Sequence, residues 1–458
     1  MFYLVSISSN TLTISFPTGM GYLASALKIA NIDFEVIDLT PIMPTSRKEH
    51  FLDIIKNIHN GVFGFGIIMG SSCMETNIEY ARKVKEISKN NIVIFGGPLA
   101  TAIPSLLLEK TECDYVVLGE GEERLPQLLN KLSNHDYSTQ IDGVVSRNSI
   151  QSVPQNGPLP IKKVRDLDYY SQPLYDAFNM EFYVDFYKEH NLSFPIMASR
   201  GCWGQCSFCF KFIGTGFHAR SARLILDEIE YIYNQWGLTN YIFREENFLQ
   251  NRELIFDLIK KKNERNIDFG IRCTGRCDNL DNEIVNALRE INVKSIGFGI
   301  ESVNQATLDK INKNIKVSEL ENNIDLLRMN NIEPRGSFII GFPDDTEKDY
   351  EEMYKFINKH EIKGTINFLT YLPKTRLFDQ VKELIRFRDD WEFIKKTDRA
   401  SLYQELIVNI TSLPDEVLLY HKKRLTDVSN DFYEISQKYK SFTAKQALIF
   451  NTHLNSIH

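Results

Sequence analysis

Two separate runs of strand and helix alternation constrain this chain more than any other feature of its sequence. In the first, the apolar segments FYLVSI (2–7), FEVIDL (34–39), VFGFGII (62–68), IVIFGG (92–97) and DYVVLGEGE (114–122) are separated by helical patterns. Between the second and third segments, Phe51, Ile54, Ile55 and Ile58 fall at i, i+3, i+4 and i+7, one face of an amphipathic helix. Near-continuous apolar strands spaced by helices need cover on both faces. This predicts an α/β fold whose N-terminal part, residues 1–135, is a doubly wound parallel sheet. Such sheets bind ligands beyond the carboxyl ends of their strands.

The second run begins at Phe194 and gives FPIMAS (194–199), NYIF (240–243), FGIRC (269–273), SIGFGI (295–300), RGSFIIGF (335–342) and GTINFLTYL (364–372). The intervening helices carry clean apolar faces: Ile225, Ile229, Ile232 and Trp236 in one, ended by Gly237, and Ile284, Ala287, Leu288 and Ile291 in another. Six such units predict an open, partial (β/α)6 barrel over residues 194–376, with its chemistry at the strands' carboxyl ends. Residues 136–193 read as a linker because Pro, Gly, Ser and Asn cluster in SRNSIQSVPQNGPLP (146–160). Its aromatic part, LDYYSQPLYDAFNMEFYVDFY (167–187), is expected to pack between domains, and residues 377–458 read as a helical C-terminal region.

The bulk properties exclude several classes. A length of 458 residues exceeds what one core accommodates. A net charge of -7 leaves no electrostatic footprint for nucleic acid. No apolar run approaches the roughly 18 residues that a membrane span needs, and the opening MFYLVSISSN lacks a secretory signal, so a cytoplasmic protein is expected. Seven cysteines, an odd number, argue against a disulfide framework and leave metal ligation or burial.

Three of those cysteines, Cys202, Cys206 and Cys209, share SRGCWGQCSFCF (199–210), just after the first barrel strand. A structural zinc site takes four closed ligands, and no second knuckle follows at a suitable spacing. Four-iron clusters usually take four thiolates, so three point to a cluster with one iron open to another ligand. Structural burial is the plainer alternative.

This Cys-x3-Cys-x2-Cys pattern, with Phe208 before the last cysteine, resembles the radical S-adenosylmethionine enzymes. The resemblance implies a 4Fe-4S cluster on Cys202, Cys206 and Cys209, with S-adenosylmethionine chelating the open iron and Phe208 counted in its site. It places Glu301 and Ser302 of SIGFGIES (295–302) near the ribose and methionine parts of S-adenosylmethionine. A carboxylate is a suitable acceptor for ribose hydroxyls; capping the next helix is the simpler role for Ser302. Arg276 in CTGRCDNL (273–280) is a candidate partner for the methionine carboxylate, or an exposed ion pair. FREENF (243–248) carries Glu245 and Glu246 where relatives often have two aspartates, so a role in receiving the amino group or positioning substrate rests on longer arms. Cys273 and Cys277 are too few for a second cluster and read as packed thiols, as do Cys73 and Cys113.

At the first sheet's strand ends stand SISSN (6–10), MGSS (69–72), GGPLATA (96–102) and GEGE (119–122), small residues that suit either tight turns or close approach of a large ligand. With the barrel behind it, this Rossmann-like domain resembles the cobalamin-binding domain of the cobalamin-dependent radical S-adenosylmethionine class. That implies contacts to cobalamin from Ser71, Gly96, Gly97, Gly119 and Glu120. No Asp-x-His-x-x-Gly motif is present, His59 precedes the third strand, and Leu99 stands where relatives often carry His, so the cobalt is expected to lack a histidine on its lower face. A domain that has lost its cofactor and serves as a scaffold is the alternative.

The resemblance implies an enzyme that methylates an unactivated carbon of a small-molecule or peptide natural-product intermediate. S-adenosylmethionine would be cleaved to a 5'-deoxyadenosyl radical and cobalamin would supply the methyl group. A non-methylating rearrangement or cyclisation is the alternative within enzymes, and an iron-sulfur and cobalamin binding protein is the alternative outside them. The implied partners are the substrate and an external electron donor such as flavodoxin or ferredoxin, with no nucleic acid and no membrane span.

Overall fold

In a computed structural model of the protein, the described residues are 1–7, 14–68, 73–137, 141–149, 166–211, 216–385, 390–399 and 405–429. Ser71 lies outside them.

The first sheet is built from β1 (Phe2–Ser6), β2 (Phe34–Asp38), β3 (Val62–Gly66), β4 (Ile92–Gly96), β5 (Tyr115–Val117) and β6 (Val144–Ser146), in the order β2-β1-β3-β4-β5-β6. The five expected strands are parallel; β6 is added antiparallel to β5 from within the stretch read as a linker. Its three residues are too short for a periodicity signal. The chain reverses its direction of winding between β1 and β3, so the ligand crevice of this topology opens over their carboxyl ends. The helix Arg47–Ile55 buries Phe51 and Ile55 as expected but ends before Ile58, where an Asn- and Gly-containing turn leads into β3.

The second sheet contains β7 (Phe194–Ile196), β10 (Asn240–Phe243), β11 (Gly270–Gly275), β12 (Val293–Glu301), β13 (Glu333–Ile340) and β14 (Lys363–Phe368), all parallel and in sequential order. A short antiparallel pair, β8 (Ser199–Arg200) with β9 (His218–Ala219), follows β7. Sequential parallel strands joined by right-handed crossovers put every helix on one face. Alternate strand residues such as Cys273, Phe298, Phe338 and Ile366 are accordingly buried. The opposite, helix-free face carries Thr274, Gly297, Arg335 and Lys363 in one cross-strand row and Gly299, Ser337 and Thr365 in the next. The helix Ala222–Trp236 ends at Gly237 in a left-handed conformation (φ 68°), which suits glycine. Beyond the barrel, helices Asp390–Arg399 and Asp415–Ser429 are described; the second covers Leu418 and Leu425 at the sheet's β14 side.

Two kinds of contact join the sheets. Phe16 of the first half meets Tyr175, Phe178 and Tyr183 of the aromatic segment with ring centroids 5.0, 5.2 and 5.5 Å apart, and Phe194 of β7 at 5.7 Å. Beside this apolar contact, Arg200 of β8 reaches across to Glu120 (2.8 Å) and Glu122 (2.6 Å), which follow β5, and His218 of β9 lies 3.1 Å from Glu120. Tyr22 lies under Arg200, 5.5 Å from its ring centroid. Burial would raise the Glu120 carboxyl, but His218 and Arg200 outweigh it and hold it at about 2.

Replacing Arg200 with Ala leaves two carboxylates buried without their cation, so unfolding in urea should show a loss of about 3–5 kcal/mol. Glu122→Gln, which keeps Arg200 paired with Glu120, should lose clearly less.

Candidate active site at the joined strand ends

The cysteine loop begins two residues after Arg200. Cys202 and Cys206 are half-buried, Cys209 is exposed, and all three are free thiols. Among the described residues, no three His, Cys, Asp or Glu side chains converge as ligands of a single metal ion would. A 4Fe-4S cluster does not ask for that convergence, because each thiolate binds a different iron. Soft, unpaired thiols in one loop are the donor set that such a cluster takes, and cationic groups surround them.

Three segments fix the loop. From the end of β10, Gln250 takes the Trp203 amide (3.1 Å) and donates to the Gly201 carbonyl (2.9 Å), Glu246 takes the Gly201 amide (3.0 Å), and Glu245 takes the Ala198 amide (2.6 Å). From the turn after β12, the Ile311 carbonyl accepts from the Ser207 amide (2.8 Å) and Asn312 donates to the Gln205 carbonyl (2.9 Å). From the turn after β14, the Leu377 amide donates to the Ser207 carbonyl (2.9 Å). Within the loop, the Lys211 ammonium binds the Cys202 carbonyl at 3.2 Å and the Gly204 carbonyl. Phe208 packs edge-on to Phe342, just beyond β13, 6.2 Å between centroids.

Arg276, at the end of β11, sits against this loop. Its guanidinium lies 3.6 Å from Cys206 Sγ, is bidentate to Asp278 (3.0 and 2.8 Å), and donates to the Lys313 carbonyl. It is neither free nor an exposed ion pair. Gly204 makes room for it: a Cβ there would come within 3.1 Å of Arg276 Nη1 and 3.3 Å of Cys202 Sγ.

Glu301 closes β12 with φ 65°, after a register shift between Gly299 and Glu301. A non-glycine residue in that region is strained, and strain of this kind collects at functional sites. Its carboxylate is buried and paired with Lys313 Nζ at 2.8 Å, a partner the sequence reading did not name. Ser302 is buried beside it and its Oγ accepts the Asn304 amide (3.1 Å); the following helix, Gln305–Lys310, is capped by Asn304 and not by Ser302.

Glu245 is the site's other buried acid. One oxygen is spent on Ala198, the second has no protein partner, and burial, aided by Glu246, pushes the carboxyl up to about 8 against the pull of the Ala198 amide. Burial thus favours its neutral form, which can donate a hydrogen bond. Cys273 beside it and Cys277 are both buried; burial raises both thiols, Cys277 to about 12, so neither is a ready thiolate.

Across the crevice, Gly97 (φ 94°) lets the turn after β4 cross the end of β3, where a Cβ would stand 3.0 Å from the Ile67 carbonyl. Gly96 has open space around it, its nearest such contact being the Val117 carbonyl at 3.7 Å. Gly119 (φ 65°) donates its amide to Thr101 Oγ1 at 2.8 Å. Gly97 thus serves close packing of the β4 turn on β3 and Gly119, itself buried, a hydrogen bond inside the fold, while Gly96 keeps bare backbone at the strand end, as a large flat ligand requires. Glu120 does not share that role here: its carboxylate is turned to Arg200 and His218. His59 is exposed at the opposite edge, and Leu99 is fully buried in the core.

Three outcomes follow from this geometry. Alanine at Cys202, Cys206 or Cys209 should abolish iron and sulfide incorporation, whereas Cys273→Ala and Cys277→Ala should retain it, checked by metal analysis and visible absorption. Gly299→Ala drives a methyl group into Glu301 Oε1 and to within 2.9 Å of Lys313 Nζ, and should weaken S-adenosylmethionine binding at least tenfold by calorimetry. Because folding raises the Glu245 pKa, the folded state holds its proton after the unfolded state has lost it. Stability should therefore fall as pH rises from about 4.5 to about 8, and Glu245→Gln should flatten that part of the urea-denaturation profile.

The chain matches two families in this order. Residues 7–129 match the B12 binding domain and residues 196–357 the radical SAM superfamily. It is 27% identical over 368 residues to an uncharacterized methyltransferase of Pyrococcus horikoshii, covering 79% of this chain and 78% of that one. To the anaerobic magnesium-protoporphyrin IX monomethyl ester cyclase of Cereibacter sphaeroides it is 25% identical, over 81% of this chain and 61% of the relative. Among solved structures, it resembles the radical S-adenosylmethionine methyltransferase TsrM of Kitasatospora setae, determined with tryptophan and an S-adenosylmethionine analogue. The TM-score is 0.68 over 84% of this chain and 76% of that one. At 17% identity this last likeness speaks for the fold. A 4Fe-4S cluster, S-adenosylmethionine and cobalamin are the cofactors these two domains take, and the thiol loop and glycine-lined edge suit them. With both domains matched in sequence order and the fold shared over most of its length, the chain belongs to the cobalamin-dependent radical S-adenosylmethionine enzymes.

Proposed function

We propose that the protein is a methyltransferase that places a methyl group on an unactivated carbon of a small polar molecule. One observation carries this reading: Arg200, two residues ahead of Cys202, is bound to Glu120 and Glu122, the residues that follow Gly119. The cysteine loop and the glycine-lined edge of the first sheet are thereby held against each other, the arrangement needed to act on one substrate from both sides. When bound, the cluster and S-adenosylmethionine supply hydrogen-atom abstraction and cobalamin supplies the methyl group. The protein's share is placement and exclusion of water. Gln250, Glu246 and Glu245 set the height of the cysteine loop, Arg276 and Lys313 set its charge, and the neutral Glu245 holds a proton beside the barrel's mouth.

The helix-free face of the barrel supports the substrate class. A closed barrel fills this space with branched apolar side chains. Here Ser337, Thr365 and Asn367 form a hydrogen-bonded group (3.1–3.3 Å), Gly297 adds no side chain, and Arg335 stands next to it in register. A face of hydroxyl and amide groups suits a polar substrate better than a flat apolar macrocycle, and a peptide bearing polar side chains also fits it.

Residues 1–135, together with β6, would hold cobalamin, and 194–376 the cluster and S-adenosylmethionine. A one-electron donor such as flavodoxin or ferredoxin would reduce the cluster in the cytoplasm, a setting that keeps Cys202, Cys206 and Cys209 as thiols. No helix among those residues is long and apolar enough to cross a membrane.

The test uses protein purified without oxygen and loaded with cobalamin, incubated with reductant and S-adenosylmethionine, with Cys206→Ala as control. Formation of both 5'-deoxyadenosine and S-adenosylhomocysteine, the nucleoside being lost in the variant, is the result expected. The nucleoside without S-adenosylhomocysteine would replace methyl transfer with rearrangement or cyclisation.

A further inference from the structure

Four charged side chains flank the cysteine loop as two ion pairs. In the first, the cation is the member turned to a sulfur; in the second, it belongs to the turn that holds the loop. Arg276 Nη1 is 3.6 Å from Cys206 Sγ, while Asp278 holds the guanidinium's other nitrogens at 3.0 and 2.8 Å. Lys313 is buried with Glu301 at 2.8 Å, in the turn that binds the loop's backbone. The pairs are tied together through the bond from Arg276 to the Lys313 carbonyl. Lys313 cannot drift from the loop, because Ile311 and Asn312 ahead of it are hydrogen-bonded to Ser207 and Gln205.

We propose that Arg276 and Lys313 are positioning residues that set the reduction potential of the cluster: they raise it by presenting a hydrogen bond and fixed positive charge to the Cys206 side, while Asp278 moderates the effect. Reduction adds one electron to the cluster from an external one-electron reductant, with no bond made or broken, and so adds one negative charge beside these groups. Cluster potentials respond to net charge, to hydrogen bonds on the sulfurs and to exposure, and outer residues of this kind tune a metal site without ligating it. Removing the cation must disfavour the reduced state, and removing its counter-anion must favour it. This inference rests on the three cysteines holding a cluster, and the experiment separates the two.

The measurement is a redox titration of the cluster followed by electron paramagnetic resonance, with dithionite as reductant, on the full-length anaerobic protein. Wild type, Arg276→Gln, Arg276→Lys and Asp278→Asn are compared, and iron and sulfide are quantified in each. Arg276→Gln should lower the reduced-to-oxidised ratio about tenfold at fixed ambient potential, a shift of about 59 mV for a one-electron couple. Asp278→Asn should move the potential in the opposite direction, and Arg276→Lys should fall between wild type and Arg276→Gln. Full clusters titrating at the wild-type potential in Arg276→Gln and Asp278→Asn would overturn the proposal. If Arg276→Gln loses its cluster, Asp278→Asn decides alone: Asp278 lies at the rim of the site, its side chain 27% exposed, and an unchanged potential there is fatal. A wild type without any cluster would instead overturn the reading of the cysteine loop.

Discussion

The ion pairs of Arg200 with Glu120 and Glu122 are the constraint on which the rest of the site depends. Two sheets of independent winding have no intrinsic reason to present their carboxyl ends to each other. The aromatic contact around Phe16 and Phe194 supplies adhesion, but stacked rings tolerate sliding and rotation. A guanidinium bound by two buried carboxylates does not, since any slip leaves charge unpaired in a poorly solvated place. The pair sits at the mouth of the crevice, so the stability of the domain contact and the register of the two cofactor sites are one property.

Around that anchor the site is assembled by backbone hydrogen bonds from side chains, with the ligating residues themselves contributing little to their own placement. Gln250, Glu246 and Glu245 hold the loop's entry, and the turn containing Ile311 to Lys313 holds its middle. Side chains that fix a ligand loop through its backbone leave the thiols free for iron. The same economy places Lys313 twice in the site, as a carbonyl for Arg276 and as an ammonium for Glu301.

Sequence periodicity revealed both alternations because every main strand is buried on one or both faces and had to be apolar. It missed β6, whose three residues carry no period. The closeness of Cys202, Cys206 and Cys209 in one loop after the first barrel strand was legible, since loop length and position are written in the chain. Lys313 was not: a lysine in INKNIK reads as a solvated face, and only the turn that folds it beneath Glu301 makes it part of the site. The pairing of Glu120 with Arg200 was hidden for a related reason. Its position after a glycine at a strand end is equally that of a ligand contact and of a domain latch, and the distinguishing partner, Arg200, lies 80 residues away. The engagement of Arg276 with Cys206 and Asp278 was not legible either, because it depends on the packing of Gly204 against it.

The central claim is that one crevice brings both cofactor sites together. It is tested most directly by recording the electron paramagnetic resonance spectrum of cobalamin in its cobalt(II) state within the loaded protein, before and after the cluster is reduced. The account predicts that reduction of the cluster broadens or splits the cobalt signal, and that Cys206→Ala, which cannot hold the cluster, leaves the signal unchanged. A cobalt spectrum indifferent to the reduced cluster in the wild-type protein would place the two cofactors apart and contradict it.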